Sequence, residues 1–326
     1  MGISVVRFCS EDQEGSWGLL RDGLVYALRL SAKSHKELLH FHRDDAQAIE
    51  RSAGEVVGAV SELNLLSPVS GDVQLFCQGL NYSDHRAEGG MDEGSAEDEN
   101  LIFSKASSSI CGPHDDIVRP SGCVLLDYEI ELGIVLTTDV TKPTLISESE
   151  LREYVGAILI ANDVSARDIS FGSPAMQWYQ GKSHRTFCPL GPVLYLLAED
   201  DFGQLDALEL HLSVNGVTKQ RATTDLLIHK PAKTIADVSN FADIYTGDCI
   251  LTGTPGGVQL QMNARTGLSI LMNMRNDKKR REKFVAAQLA NNTYLRPGDQ
   301  LELSIKSIDG SIDLGVQSNK VVDAIE

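Results

Sequence analysis

Residues 126–135 read Leu-Asp-Tyr-Glu-Ile-Glu-Leu-Gly-Ile-Val. In a strand, successive side chains point to opposite faces, so Glu129 and Glu131 share one face while Ile130 and Leu132 share the other. Taken alone, a carboxylate pair of this kind is a solvent face. A second acidic position in similar surroundings argues against that. The apolar run Val155–Ala161 ends in Asn162-Asp163 and continues Val164-Ser165-Ala166-Arg167-Asp168. An acid at the end of a buried strand is costly unless it is paired or binds a metal. Three carboxylates that converge repel one another and must hold a cation or protons. Three oxygen ligands with open positions suit Mg²⁺, Mn²⁺ or Ca²⁺ rather than zinc, because no soft ligand is among them.

Outward from this stretch, the chain after about Gly71 is a series of short strand-like runs separated by Gly, Pro and Asp turns. They are Leu75–Gly79, Leu101–Ser104, Tyr128–Val135, Val155–Ile160, Val193–Leu197, Leu208–Val214, Cys249–Thr252 and Gln300–Ile305. Helical pieces are few: Glu148–Tyr154, Ala232–Phe241 and Lys279–Ala290. Many strands with few helices predict a β-rich α+β domain over residues 71–326. Residues 1–70 read as a small N-terminal domain. It has strands at Ile3–Phe8, Gly15–Leu20 and Leu24–Leu28, then one long helical stretch at Ser34–Leu63, with Ser67-Pro68 at its boundary.

Composition narrows the partners. Lys and Arg total 29 against 46 Asp and Glu, a net charge of -17 over 326 residues. That excess of acid argues against nucleic acid and against an anionic membrane surface. The six cysteines are scattered with no C-x-x-C pair, so neither a zinc knuckle nor a disulfide framework is expected. MGISVVRF lacks the basic and apolar regions of a signal peptide, and no apolar stretch is long enough to span a bilayer. A reducing, cytoplasmic setting is the expectation. The run Lys278, Lys279, Arg280, Arg281 and Lys283, with Arg275, reads as a solvated helix face.

Two further segments carry chemistry. In Gly79-Leu80-Asn81-Tyr82-Ser83-Asp84-His85-Arg86-Ala87-Glu88, one helical turn sets His85 beside Glu88. A carboxylate that orients an imidazole is the usual construction of a general base, although D-H-x-x-E alone reads more readily as a surface hydrogen bond. The acidic, Gly-rich segment Gly89–Asn100 beside it is expected to be mobile. On that reading the dyad closes over a ligand, and in the unliganded protein His85 stands away from its working position or is poorly ordered. Thr252-Gly253-Thr254-Pro255-Gly256-Gly257 can offer backbone N–H groups to a carboxylate, or be a plain tight turn. The chain has no G-x-S-x-G, Walker A, G-x-G-x-x-G or H-E-x-x-H motif.

Eight stretches in order resemble the fumarylacetoacetate hydrolase family: GLNYSDHRAE (79–88), IFSKASSSICGP (102–113), LDYEIELGIV (126–135), ANDVSARD (161–168), QWYQGKS (177–183), FCPLGP (187–192), TGDCILTGTPGGV (246–258) and LRPGDQLEL (295–303). The resemblance covers about residues 72–326. It implies a mixed, rolled β-structure in the catalytic domain and a homodimer. It implies a divalent metal, commonly Mg²⁺, on Glu129, Glu131 and Asp163. It makes His85 and Glu88 a water-activating dyad, turns Lys182 toward the metal, and gives Tyr82, Arg167, Gln177 and Thr254 to the substrate.

Three departures stand out. The G-K-S motif is followed by His184-Arg185 where the family has an aromatic and an Asp. The stretch Val258–Leu295 is longer than expected and holds the basic cluster. Leu101-Ile102-Phe103 lacks its usual preceding Pro. The activity implied is metal-dependent hydrolysis of a carbon–carbon bond in a small 2,4-dioxo acid of the acylpyruvate type. Decarboxylation of oxaloacetate-like acids, tautomerisation and isomerisation of 2-hydroxydienedioates fit the same site. A non-catalytic binding protein is the remaining alternative.

Overall fold

The computed structural model describes residues 1–9, 15–92, 94–95, 97–171, 176–261, 276–290 and 293–325. Strands β1 (Ile3–Cys9), β2 (Gly15–Arg21), β3 (Leu24–Leu28), β4 (Ala53–Ala59) and β5 (Leu65–Leu66) come first. Next are β6 (Leu75–Gly79), β7 (Leu101–Lys105), β8 (Ile110–Cys111), β9 (Ile117–Arg119), β10 (Leu126–Asp127) and β11 (Ile130–Leu136). Then follow β12 (Val155–Asn162), β13 (Ser165–Ala166), β14 (Cys188–Pro189) and β15 (Val193–Leu196). The last are β16 (Leu208–Val214), β17 (Val217–Thr223), β18 (Cys249–Leu251), β19 (Gln300–Ser307) and β20 (Asp313–Asp323).

The main sheet runs β4-β3-β2-β1-β15-β12-β11-β18-β6-β7, with β5 beside β1. Pairing of β1 with β15 makes the strands of the first 66 residues continuous with those that carry the site. A second sheet, β17-β16-β19-β20-β9, packs on one face of the first. The side-chain period of two shows in the packing. Ile130, Leu132, Ile134, Ile158 and Ile160 enter the core between the sheets, while Val135, Ala157, Leu159 and Ala161 face the opposite core. On that opposite face lie Leu38, Leu39 and Ile49 from helices α1 (His35–Asp44) and α2 (Ala46–Arg51).

The expected single helix over Ser34–Leu63 is instead α1, α2 and strand β4. Asp45 ends α1 and caps α2, its carboxylate accepting from the Gln47 N–H at 3.1 Å. Beyond Ser52, Val56 and Val57 sit between glycines in an edge strand against β3, where the β-branched pair suits an extended backbone. Val56, which helical spacing places on a buried face, is 51% exposed. The other expected helices stand: a 3₁₀ segment at Glu148–Glu153, α6 (Pro231–Ser239) and α7 (Asp277–Leu289). Short helices α3 (Ser83–Glu88), α4 (Arg167–Ser170) and α5 (Trp178–Lys182) surround the site. Among the described residues no helix is long and apolar enough to cross a membrane.

Candidate active site

The register of two central strands assembles the acidic group. Ile130 pairs with Asn162 and Glu131 with Ala161. One step further Glu129 lies opposite Asp163, whose N–H donates to the Glu129 carbonyl at 2.8 Å. Residues 129, 131 and 163 therefore share one face, and one oxygen of each carboxylate lies within 4.8 Å of the others. All three side chains are buried. The turn after β18 closes the group: Gly253 N–H donates to Glu131 Oε2 at 2.7 Å. Gly253 has a φ of +87°, and a side chain there would meet Asn81 Cβ at 2.8 Å, so the turn needs glycine.

Three cations surround these acids. Lys182 Nζ donates to Asp163 Oδ2 at 2.5 Å and to Glu129 Oε2 at 2.7 Å. Lys105, which ends β7 and carries no signal of its own in the sequence, donates to Asp163 Oδ1 at 2.5 Å and to the Phe187 carbonyl at 2.7 Å. Arg167 Nη2 lies 2.5 Å from Glu129 Oε1, an ion pair without hydrogen-bond geometry. Its Nε donates to Asp127 Oδ2 at 2.9 Å. Asp127, which stands in the 126–135 stretch but has no role assigned by the pattern there, is fixed by the backbone N–H groups of Gln259 and Leu260. Lys182 reaches the acids because Gly181 lets α5 lie against α4: an added Cβ would fall 2.0 Å from Ser170 Oγ.

The acids are not equivalent. Burial alone would push Glu129 up, but Lys182, then Arg167, outweigh it and hold it well below the usual carboxylate range. Glu131 is driven well above that range by burial first, then by Asp163 and Glu129. Its Oε1 has no hydrogen-bond partner. An orphaned, buried carboxylate oxygen among three oxygen donors fits a hard divalent cation.

The cavity above this floor has a volume of about 180 Å³. Glu129, Lys182, Arg167, His85 and Thr254 line it. His85 Nδ1 lies 3.3 Å from Glu88 Oε2, and Glu88 Oε1 accepts from the Gly257 N–H at 2.8 Å. Asn81, just before α3, donates to the Thr252 carbonyl at 2.8 Å, tying the start of α3 to the same turn. The dyad helix is thus seated in the cavity wall with His85 buried, and not displaced as the mobile neighbouring segment led us to expect.

The remaining assignments divide. Thr254 reaches the wall, but its hydroxyl donates to the Ile130 carbonyl at 2.9 Å and accepts from Gln220 Nε2 at 2.8 Å. Tyr82 does not reach it: the side chain is fully buried beneath α3, and its hydroxyl has no hydrogen-bond partner. Gln177 caps α5 between Met176 and Trp178, which do line the cavity, while its own side chain does not. The departure at His184-Arg185 does not reach the cavity. Arg185 is exposed and the His184 ring packs on Phe187 at 5.1 Å, with neither lining the cavity. The basic run is a solvated face at Lys278, Lys279 and Lys283, but Arg280 is buried and Arg281 pairs with buried Asp168. Arg275 and residues 262–274 of the long insert lie outside the described residues.

The family model described as fumarylacetoacetate (FAA) hydrolase, C-terminal, matches residues 74–322, and the chain belongs to this family. It is 37% identical over 198 residues to the mitochondrial oxaloacetate tautomerase FAHD2A of Bos taurus, a match covering 61% of this chain and 60% of that protein. It is 38% identical over 191 residues to the 2,4-didehydro-3-deoxy-L-rhamnonate hydrolase of Sphingomonas sp. (strain SKA58), covering 59% and 64%. These matches span less than two thirds of either relative. Over 99% of its length the chain superposes on all of the fumarylacetoacetate hydrolase of Exiguobacterium antarcticum, with a TM-score of 0.76 and 27% identity.

Proposed function

We propose that the protein is a divalent-metal-dependent enzyme that cleaves a carbon–carbon bond in a 2,4-dioxo acid. The observation that carries this reading is the His85–Glu88 pair, whose His85 lines the same cavity as Glu129, Lys182 and Arg167, with Glu131 and Asp163 clustered against Glu129 behind that lining. Glu129, Glu131 and Asp163 would hold the cation. Mg²⁺ is the first choice, and Mn²⁺ or Ca²⁺ satisfies the same oxygen set. A cation held there supplies Lewis-acid polarisation of the substrate's oxygens and stabilises negative charge on an enolate leaving group.

The chain's own groups supply the rest. Glu88 Oε2 accepts from His85 Nδ1–H, which leaves Nε2 free to take a proton from water. The hydroxide adds to the distal carbonyl, the bond between C3 and C4 breaks, and its electron pair goes to C3. Lys182 Nζ donates toward the oxygen on which that charge develops. His85 Nε2 returns its proton to the enolate oxygen, so the products are a carboxylic acid and the enol of a 2-oxo acid. A homodimer, a cytoplasmic setting and a small oxo acid as the partner belong to the same proposal.

Tautomerisation of an oxaloacetate-like acid is the second reading, supported by the activity for which the bovine relative is named. In it His85 Nε2 carries a proton between carbon and oxygen and no carbon–carbon bond is cleaved. Acetylpyruvate and oxaloacetate, each offered with Mg²⁺ and with EDTA, separate the two. Cleavage of acetylpyruvate that EDTA abolishes is expected. His85→Ala should lower turnover by about 10²–10⁴ while calorimetric metal affinity is unchanged. Near-native turnover in that variant removes the general base from the mechanism.

A further inference from the structure

The charged floor accounts for only one end of the cavity. Much of the remaining lining is apolar, from Leu80, Met91, Phe103, Phe171, Trp178 and Leu260, a wall that begins beside the floor at Phe103, over whose ring Lys182 Nζ sits 5.2 Å from the centroid. The rings form a column that continues out of the cavity. Phe103 and Trp178 centroids are 5.2 Å apart, Trp178 and Phe171 6.5 Å, and Phe171 and Phe284 of α7 6.0 Å. Phe284 is buried in a small core behind the wall, with Leu125, Val258, Leu260 and Tyr294. Most of that core comes from the long stretch between Val258 and Leu295.

Helix α7 is fastened to α4 at two points. Arg281 Nη2 donates to the buried Asp168 carboxylate at 3.1 Å, and Phe284 packs on Phe171, the C-terminal cap of α4. Helix α4 therefore contributes Arg167 to the floor and, one turn on, Phe171 to the apolar wall. Among the described lining residues the carboxylates, lysines and arginines are Glu129, Arg167 and Lys182, and these make up the floor. Lys182 and Arg167 are each already paired with two carboxylates.

Resting on the oxo-acid reading above, we infer that the far wall is an acyl subsite for an apolar alkyl or aryl group, and that α7 holds this wall in place. A second carboxylate at that end would lose its hydration against rings and aliphatic side chains with no further cation among the described lining residues. An apolar tail would instead be taken out of water. Substrates that end in a second carboxylate are the disfavoured class. Phe284 and Arg281 act through Phe171 and Asp168 and are positioning residues.

The test is titration calorimetry on the full-length protein loaded with Mn²⁺, using 2-oxohexanoate and 2-oxoadipate. These share six carbons and differ in a terminal methyl against a terminal carboxylate. The methyl-ended acid is expected to bind at least tenfold tighter. Met91→Lys, on a half-exposed loop position, adds a cation at the far wall and should weaken or reverse that preference at least tenfold. Phe284→Ala should narrow it while leaving oxalate affinity unchanged, which general destabilisation would not do. If Phe284→Ala does not fold, Phe171→Leu shortens the same column from within the wall. Equal affinities, tighter 2-oxoadipate, binding of neither acid, or an unchanged preference in Met91→Lys overturns the inference. An unchanged preference in folded Phe284→Ala overturns the role of α7. Absence of acetylpyruvate cleavage with the tenfold preference intact sinks the hydrolase reading and leaves the subsite. Cleavage with the preference reversed does the opposite.

Discussion

The floor of the cavity and the seat of helix α1 both bury ionisable side chains, and they treat charge in opposite ways. At the floor, Asp127, Glu129, Glu131 and Asp163 are packed with Lys105, Lys182 and Arg167. Burial works against Lys182, yet Asp163 and then Glu129 hold its pKa above the ordinary lysine value, and Arg167 is raised in the same way by Glu129 and Asp127. On α1, His35 is buried and His42 half-buried, and each ring is hydrogen-bonded to a backbone carbonyl: Gly247 at 3.0 Å and Leu197 at 2.9 Å. Burial lowers both, His35 to about 4, so His35 is neutral. A chain that only needed to fill this space would neutralise its buried groups as it does under α1. Keeping charge at the floor opposes stability and is retained where charge has a use.

The largest way to break this contrast is at the floor itself. Glu129→Gln removes one oxygen-donor charge at constant size. Arg167 keeps Asp127 and Lys182 keeps Asp163, so no cation is left without a partner. Cleavage of acetylpyruvate should fall by more than about 10³. The variant should remain folded by circular dichroism and bind Mn²⁺ more weakly. Retained turnover, or activity of the native protein after exhaustive chelation, would show that the acidic group is not a metal site.

Lys182→Met tests whether the counter-charge does more than balance the acids. Glu129 retains Arg167 and Asp163 retains Lys105, so the fold should survive. If Lys182 meets developing charge on the substrate, kcat should drop by about 10²–10³. A rise in KM with kcat unchanged would assign it to ground-state binding alone.

The contrast also explains which parts of the molecule are legible in its sequence. The acidic group follows from strand alternation on two adjacent antiparallel strands, so D-Y-E-I-E and the acid after Ala161 can be read as one face from the amino-acid order alone. The His85–Glu88 pair is equally local, within a single helical turn. Lys105 is not legible in this way, because a lysine at the end of a short strand ordinarily faces water. Its partners Asp163 and Phe187 lie 58 and 82 residues away. The far wall draws Phe103, Phe171 and Trp178 from three segments, which no periodicity joins. Strand β17, reading Val-Thr-Lys-Gln-Arg-Ala-Thr, escapes a hydrophobic pattern because it is largely polar and owes its state to pairing with β16. At Ser34–Leu63, helical spacing runs on through the glycines at 54 and 58, where edge pairing with β3 prevails.

The smallest expected effect sharpens the other side of the comparison, and it concerns stability instead of turnover. His35 Nε2–H donates to the Gly247 carbonyl, and the ring must stay neutral in the fold. The unfolded chain takes up a proton there near the ordinary imidazole value of 6.5, whereas the folded one does so only near 4. Between those values the unfolded state binds more protons, so stability rises with pH. The contribution is complete above about 6.5, and up to about 3 kcal/mol is lost as pH falls to 4. His35→Gln keeps an N–H donor for Gly247 but cannot titrate. Denaturant unfolding of both proteins at pH 7.5 and pH 5 cancels the carboxylates they share. The loss of stability on acidification should be about 2 kcal/mol smaller in the variant. An equal loss in the two proteins would mean that the seat of α1 tolerates a charged imidazole, and the difference between the two buried regions would then rest on the floor alone.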